Sequence, residues 1–187
     1  MELLQIKSPI DNKTIQQLKV GTGVSISGTI FVARDAAHRR MVDALANKEP
    51  LPFDIKGQTI YYMGPAPAKP GQIIGSAGPT TSSRMDAFTP PLLEAGLKAI
   101  IGKGCRSQAV KDSLILHKAV YLVTTGGASA LLAKAVKNVE PVAYEDLGPE
   151  AIIRLQVENF PAIVANDIYG GDLFEEGRAK YKRENES

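Results

Sequence analysis

The stretch GPTTSSRMD (78–86) sets Thr80, Thr81, Ser82 and Ser83 directly ahead of Arg84, and KGCRS (103–107) brackets the one cysteine between Lys103 and Arg106. A third short stretch, ARD (33–35), places Arg34 immediately before a predicted helix. Hydroxyls donate hydrogen bonds to a carboxylate, and arginine grips one at two points. Lys103, with glycine on either side, offers a point charge where the backbone can come close to a ligand. Helix starts add free N–H groups and a favourable dipole for negative charge. The three stretches together are chemistry for holding a small acid.

Each has an ordinary structural role as well. Hydroxyls ahead of a helix usually cap it, and Thr81 is expected to do so here. An arginine near a helix start is usually a solvated surface residue. No single loop carries the reading; the repetition does.

Groups that would transform a bound acid are missing from the motifs. There is no GxSxG, no phosphate loop ending in GK[ST], no paired-carboxylate signature and no zinc-ligand cluster. Cys105 lies between two cations that would favour its thiolate, yet no His/Asp pair accompanies it, so a buried, inert thiol is expected. His38 and His117 fall on predicted helices and read as structural. Gly126-Gly127-Ala128-Ser129 reads as a packing turn into a helix.

The elements that position these loops follow from periodicity. Leu4 and Ile6 alternate with polar neighbours, and VSISGTIFV (24–32) is a β-branched strand with Gly28 as a bulge or turn. A helix follows with Asp35 as N-cap and Ala37, Met41, Ala44 and Leu45 on one face, ended by Pro50 and Pro52. TIYYMGPA (59–66) reads as a strand and PAPAKPG (65–71) as a loop. Ser82 or Ser83 starts a short helix through Phe88, and Thr89-Pro90-Pro91 restarts one that Gly96 stops. KAIIG (98–102) and AVYLVTT (119–125) are strands, with helices over 107–117 and 128–137. This alternation predicts parallel pairing over 72–137, with its loops at one sheet edge. After Pro141 the pattern returns to β: Ile153, Leu155 and Val157 alternate with polar residues, 161–165 is a second short strand, and 169–172 a turn.

One mixed α/β domain over residues 1–175 is expected, followed by a charged, frayed tail over 176–187. The chain's 187 residues suffice for a proper core, and its 22 basic and 20 acidic residues nearly cancel to +2. Such a balance implies no nucleic-acid surface. One cysteine excludes an internal disulfide. The N-terminal MELLQIKSPIDNK has no long apolar core, and no run is long enough to span a bilayer. A cytoplasmic protein without signal peptide or membrane contact is expected.

Five motifs carry a resemblance: GTIFVARDAAHRR (28–40), GPTTSSRMD (78–86), KGCRS (103–107), YLVTTGGASALLAK (121–134) and PAIVANDIYGGDLF (161–174). In this order they resemble the β-subunit of class I, iron–sulfur fumarate hydratase, and that of L(+)-tartrate dehydratase. The resemblance covers most of the chain and implies a swivelling β/β/α domain. It also implies a [4Fe–4S] cluster held by three cysteines of a partner α-subunit in an α2β2 assembly, with none bound by this chain alone. Carried over by motif position, Arg34, Arg84 and Lys103 would bind the carboxylates of a small dicarboxylate substrate, and Thr80 would be the catalytic proton-abstracting residue. The expected activity is hydro-lyase interconversion of fumarate and L-malate. Tartrate dehydration is the nearest alternative, and a non-catalytic carboxylate-binding or assembly subunit is the alternative from another class.

Overall fold

A computed structural model describes residues 3–64, 68, 70–124 and 129–182. The glycine-rich turn at 126–128, most of the 65–71 loop and residues 183–187 lie outside the described residues. The strand β1 (Leu4–Ser8) and the short helix α1 (Asn12–Ile15) lead into β2 (Gly23–Val32). Then helices alternate with strands: α2 (Asp35–Ala46), β3 (Thr59–Tyr61), α3 (Thr89–Glu94), β4 (Ala99–Gly102), α4 (Gln108–Leu116) and β5 (Val120–Val123). The chain closes with α5 (Ser129–Ala135), β6 (Val136–Ala143), β7 (Ile152–Asn166) and α6 (Leu173–Tyr181).

Strands β1 to β5 pair in parallel in chain order. The parallel core therefore begins earlier than residue 72. Strand β7 runs antiparallel to β2 along one edge and to β5 and β6 along the other. The pairings β2–β3–β4–β5–β7–β2 thus form a closed ring, with β1 and β6 as outer strands on it. Two segments read from sequence as separate strands, around 153–157 and 161–165, are one 15-residue strand. Its proline, Pro161, does not break it. Asn159, in the left-handed region at φ 54°, takes up the irregularity near its middle.

Alternation along the ring builds two cores. Val24, Ile30, Tyr61, Ile101, Leu122 and Leu155 belong to one cluster. Phe31, Ile60, Ile100 and Tyr121, their neighbours along the strands, pack with Ala37 and Met41 of α2, Leu92 and Leu93 of α3, and Val110 and Leu114 of α4. A strand buried on both faces reads as a continuous apolar run, as AIIG and VYLV do. Gly28 is the expected bulge: the β2–β7 register shifts between Ile26 and Gly28. At φ +109°, a Cβ there would sit 2.3 Å from the Ser8 carbonyl oxygen, so β1 could not pair alongside a larger residue.

Two expectations are corrected at the C-terminal end. The helix α5 stops at Ala135, and Val136–Ala143 is an outer strand that accommodates Pro141. The charged residues 176–181 are helical, because the Asp172 carboxylate accepts the Phe174 and Glu175 N–H groups at 2.9 and 3.1 Å and so caps α6. Glu175 and Glu176 in the first turn and Arg178 and Lys180 in the last suit the helix dipole. Among the described residues, no helix is long and apolar enough to cross a membrane.

Candidate functional site

Parallel strands deliver their C-terminal ends to one rim, and the residues expected from sequence to hold an anion gather there. Arg34 follows β2, Lys103 follows β4, and the 3₁₀ turn Ser82–Met85 sits between them. Backbone bonds lock the rim: Thr80 N–H donates to the Tyr62 carbonyl at 2.8 Å, and Ser82 N–H to the Lys103 carbonyl at 3.1 Å. Thr81 and Lys103 form an isolated parallel bridge. Arg34 Nη1 packs where a Cβ on Gly64 would lie 2.5 Å away, so Gly64 leaves room for the guanidinium.

The structure brings Arg34, Thr80 and Arg84 together around Asp35. Arg84 Nη2 donates to Thr80 Oγ1 at 2.8 Å and lies 3.6 Å from Asp35 Oδ2. Arg34 Nη2 lies 3.8 Å from the same oxygen and 3.6 Å from Glu150 Oε1. Lys103 joins through the Thr81 and Ser82 backbone contacts, with its side chain exposed. Two buried polar atoms, Arg34 Nε and Asp35 Oδ2, have no hydrogen-bond partner among the described residues. Buried polar groups are normally paired; here a donor, Arg34 Nε, and an acceptor, Asp35 Oδ2, are left without a hydrogen bond at this rim.

Several local expectations change. Asp35 is the first residue of α2 and not its cap; Arg34 occupies the cap position without a capping side chain. Glu150, 114 residues away, supplies the acceptor, taking the Ala36 N–H at 2.8 Å. Thr81 stands at the cap position of the 3₁₀ turn, but its hydroxyl makes no capping bond. Ser82 is the buried hydroxyl: its Oγ accepts the Lys103 N–H at 2.9 Å and lies 3.0 Å from the Tyr121 hydroxyl. Cys105 is exposed, not buried. The buried member of KGCRS is Arg106, at 4% exposure. Gly104 turns the chain at φ +87°, which leaves Cys105 outside and sends Arg106 under the loops.

Arg106 and its surroundings are what sequence reasoning missed. Its Nε donates to Asp86 Oδ1 and its Nη2 to Thr89 Oγ1, both at 2.7 Å, while its guanidinium lies 4.9 Å from the Tyr121 ring centroid and 5.4 Å from that of Tyr62. The signal was present in the acid that closes the first motif and the second cation of the next. The histidines lie on α2 and at the end of α4, as expected, but His38 Nε2 is buried without a hydrogen-bond partner among the described residues. His117 ends α4, and its carbonyl accepts from Lys98 Nζ at 2.6 Å.

His38 is fully buried on α2, with Nδ1 2.9 Å from the Arg34 carbonyl and its ring edge-on to Tyr62. Burial lowers its pKa from 6.5 to about 4, and the Arg106 charge adds to that, while Asp35 and the Arg34 carbonyl oppose it. The unfolded chain therefore binds a proton below pH 6.5 that the folded chain refuses until about pH 4. Stability is expected to fall as pH drops through that window, by about 3 kcal/mol in total. Urea unfolding at several pH values, with His38→Asn beside the wild type, checks this. A gap between the two that stays constant with pH would rule out His38 as its source.

Comparison with known proteins gives the family. The family model described as Fumarase C-terminus matches residues 2–177. "Fumarate hydratase 2" of Leishmania major is 41% identical over 175 residues, covering 91% of this chain and 31% of the relative. "Fumarate hydratase class I, aerobic" of Escherichia coli K12 is 42% identical over 164 residues, covering 87% and 30%. "Putative L(+)-tartrate dehydratase subunit beta" of Methanocaldococcus jannaschii is 39% identical over 184 residues, covering 95% and 94%. The chain thus spans less than a third of the fumarate hydratases it matches and nearly all of the tartrate dehydratase subunit. With the match running through every strand of the ring and every loop of the rim, the chain belongs to the fumarase C-terminus family.

Proposed function

We propose that this chain is the β-subunit of a two-chain hydro-lyase, assembled as α2β2, that interconverts fumarate and L-malate. Arg34, Arg84 and Lys103 bind the two carboxylates, and Thr80 takes the proton. The observation that carries the reading is the contact between Arg84 Nη2 and Thr80 Oγ1, 2.8 Å apart at a rim shared with Arg34 and Lys103. L-Malate loses a proton from C3 and hydroxide from C2, and fumarate and water result. A threonine hydroxyl is a poor base in water, so in this proposal a carboxylate of the α-subunit first takes its proton and passes it to the departing hydroxide, which leaves as water, while the alkoxide accepts the C3 proton. The Arg84 guanidinium donating to Thr80 Oγ1 supports that anion. Substrate carboxylates would then compete with Asp35 for Arg34 and Arg84.

The family resemblance implies a [4Fe–4S] cluster, which when bound offers an iron as Lewis acid to the substrate hydroxyl. This chain does not fit as its holder. It has one cysteine, and no three His, Cys, Asp or Glu side chains among the described residues are grouped to ligate a metal. In the proposal the three cysteine ligands belong to the α-subunit, and this chain contributes the opposite wall.

The somewhat higher identity to the fumarate hydratases supports fumarate and malate as substrates. The near-complete coverage of the tartrate dehydratase subunit favours L(+)-tartrate as the second reading. The chain co-expressed with a cluster-bearing partner, assayed on malate, fumarate and both tartrate enantiomers, decides between them. Turnover of malate and fumarate well above tartrate is expected. Turnover of L(+)-tartrate alone would reverse the substrate assignment, and no turnover of any would leave a non-catalytic subunit.

A further inference from the structure

Beneath the three anion-holding loops lies a buried polar frame that touches none of the proposed substrate-binding side chains directly. Arg106 is its centre. Besides its bonds from Nε to Asp86 and from Nη2 to Thr89, its Nη1 is buried without a hydrogen-bond partner among the described residues. The second oxygen of Asp86 accepts the Ser107 N–H at 2.7 Å, so one carboxylate joins the end of the first loop to the start of α4. Thr89 Oγ1 lies 3.0 Å from the Tyr62 hydroxyl, and Tyr62 packs edge-on against His38, whose Nδ1 meets the Arg34 carbonyl. The Tyr121 hydroxyl reaches the Gly104 carbonyl at 2.9 Å. All three loops are therefore tied to one guanidinium.

Such a frame is a costly way to fill space. A buried ion pair gives little net stability over apolar side chains of the same size, and an unpartnered buried donor adds a penalty. What it does supply is direction, because guanidinium bonds are fixed in one plane. Arg84 stands two residues before Asp86, and Lys103 three before Arg106. Any shift between Asp86 and Arg106 moves the Thr80–Arg84 pair relative to Lys103.

We propose that Arg106 is a positioning residue for the dicarboxylate site: through Asp86 and Thr89 it sets the spacing between Thr80 and Arg84 on one loop and Lys103 on the other. The inference rests on the functional reading above. A misplacement of about 1 Å costs up to roughly a hundredfold in rate. Lysine at 106 keeps the charge, but its single nitrogen cannot hold Asp86 and Thr89 together while lying flat between two rings.

The test uses the assembled enzyme. Arg106→Lys is expected to lower kcat/KM for malate by about 10- to 100-fold in folded complex, measured well below its unfolding temperature. Lys103→Met added to Arg106→Lys should cost much less than Lys103→Met alone, because a displaced grip has little left to lose. Unchanged kcat/KM, or losses that simply multiply, would overturn the proposal. If Arg106→Lys does not assemble, Asp86→Asn is read by the same criteria; it keeps an acceptor for Arg106 Nε and removes the charge. A crystal structure of the variant complex gives a readout independent of turnover. The 3.1 Å contact from Ser82 N–H to the Lys103 carbonyl should open, and its persistence would overturn the proposal even if no substrate is turned over. A wild-type complex inactive on malate, fumarate and tartrate would instead count against the functional reading.

Discussion

Arg84→Lys in the assembled enzyme is expected to lose about 2–4 kcal/mol in kcat/KM for malate, although the charge is kept. The arginine does two things that one ammonium cannot do together. Its Nη2 donates to Thr80 Oγ1 at 2.8 Å, and in the proposed function the other N–H groups of its planar fork, which make no hydrogen bond among the described residues, meet a substrate carboxylate. Lysine either supports Thr80 or binds the substrate. Stability should change little, because the Arg84 side chain is 47% exposed and its 3.6 Å pairing with Asp35 is a solvent-screened contact. Steady-state kinetics on correctly assembled Arg84→Lys complex check the expectation. Unchanged malate kinetics would remove Arg84 from the site.

Thr80→Val is expected to lower kcat by roughly a hundredfold or more, the usual scale for a lost general base, with substrate binding largely kept. Valine preserves the β-branched shape, and the Thr80 N–H bond to the Tyr62 carbonyl stays available, so the loop should hold its place. Thr80→Ser keeps the hydroxyl and should retain part of the activity. If Thr80 only hydrogen-bonds a carboxylate, the same variant raises KM and spares kcat. Thr81→Val serves as the control. Thr81 is exposed and its hydroxyl makes no capping bond, so neither rate nor stability should change appreciably.

The strands and the rim loops were legible because their signals are local. Apolar runs such as AIIG, proline at the start of α3 and glycine at the β2 bulge each act over a few residues. The same holds for Arg34, Thr80, Arg84 and Lys103, which the structure sets along one rim. What sequence missed depends on partners far along the chain. Glu150 caps α2 across 114 residues, and β7 closes the ring by pairing with β2, more than a hundred residues earlier. Cys105 was expected inside, because burial by residue type favours the thiol, and Arg106 is the residue that is buried instead. Asp86, Thr89 and two tyrosine rings hold the guanidinium there through Nε, Nη2 and its face. The helix over 176–181 is hidden for a related reason: beside two glycines Asp172 looks like a turn residue, yet its carboxylate caps α6.

The central claim, that Thr80 removes the proton, is tested most directly by deuterium exchange at C3 of malate in heavy water. The assembled wild-type and Thr80→Val enzymes are compared at equal concentrations of folded complex. The account predicts that the variant incorporates deuterium at least a hundredfold more slowly than the wild type, in step with its loss of kcat. Exchange at the wild-type rate in the Thr80→Val enzyme would mean that another group takes the proton.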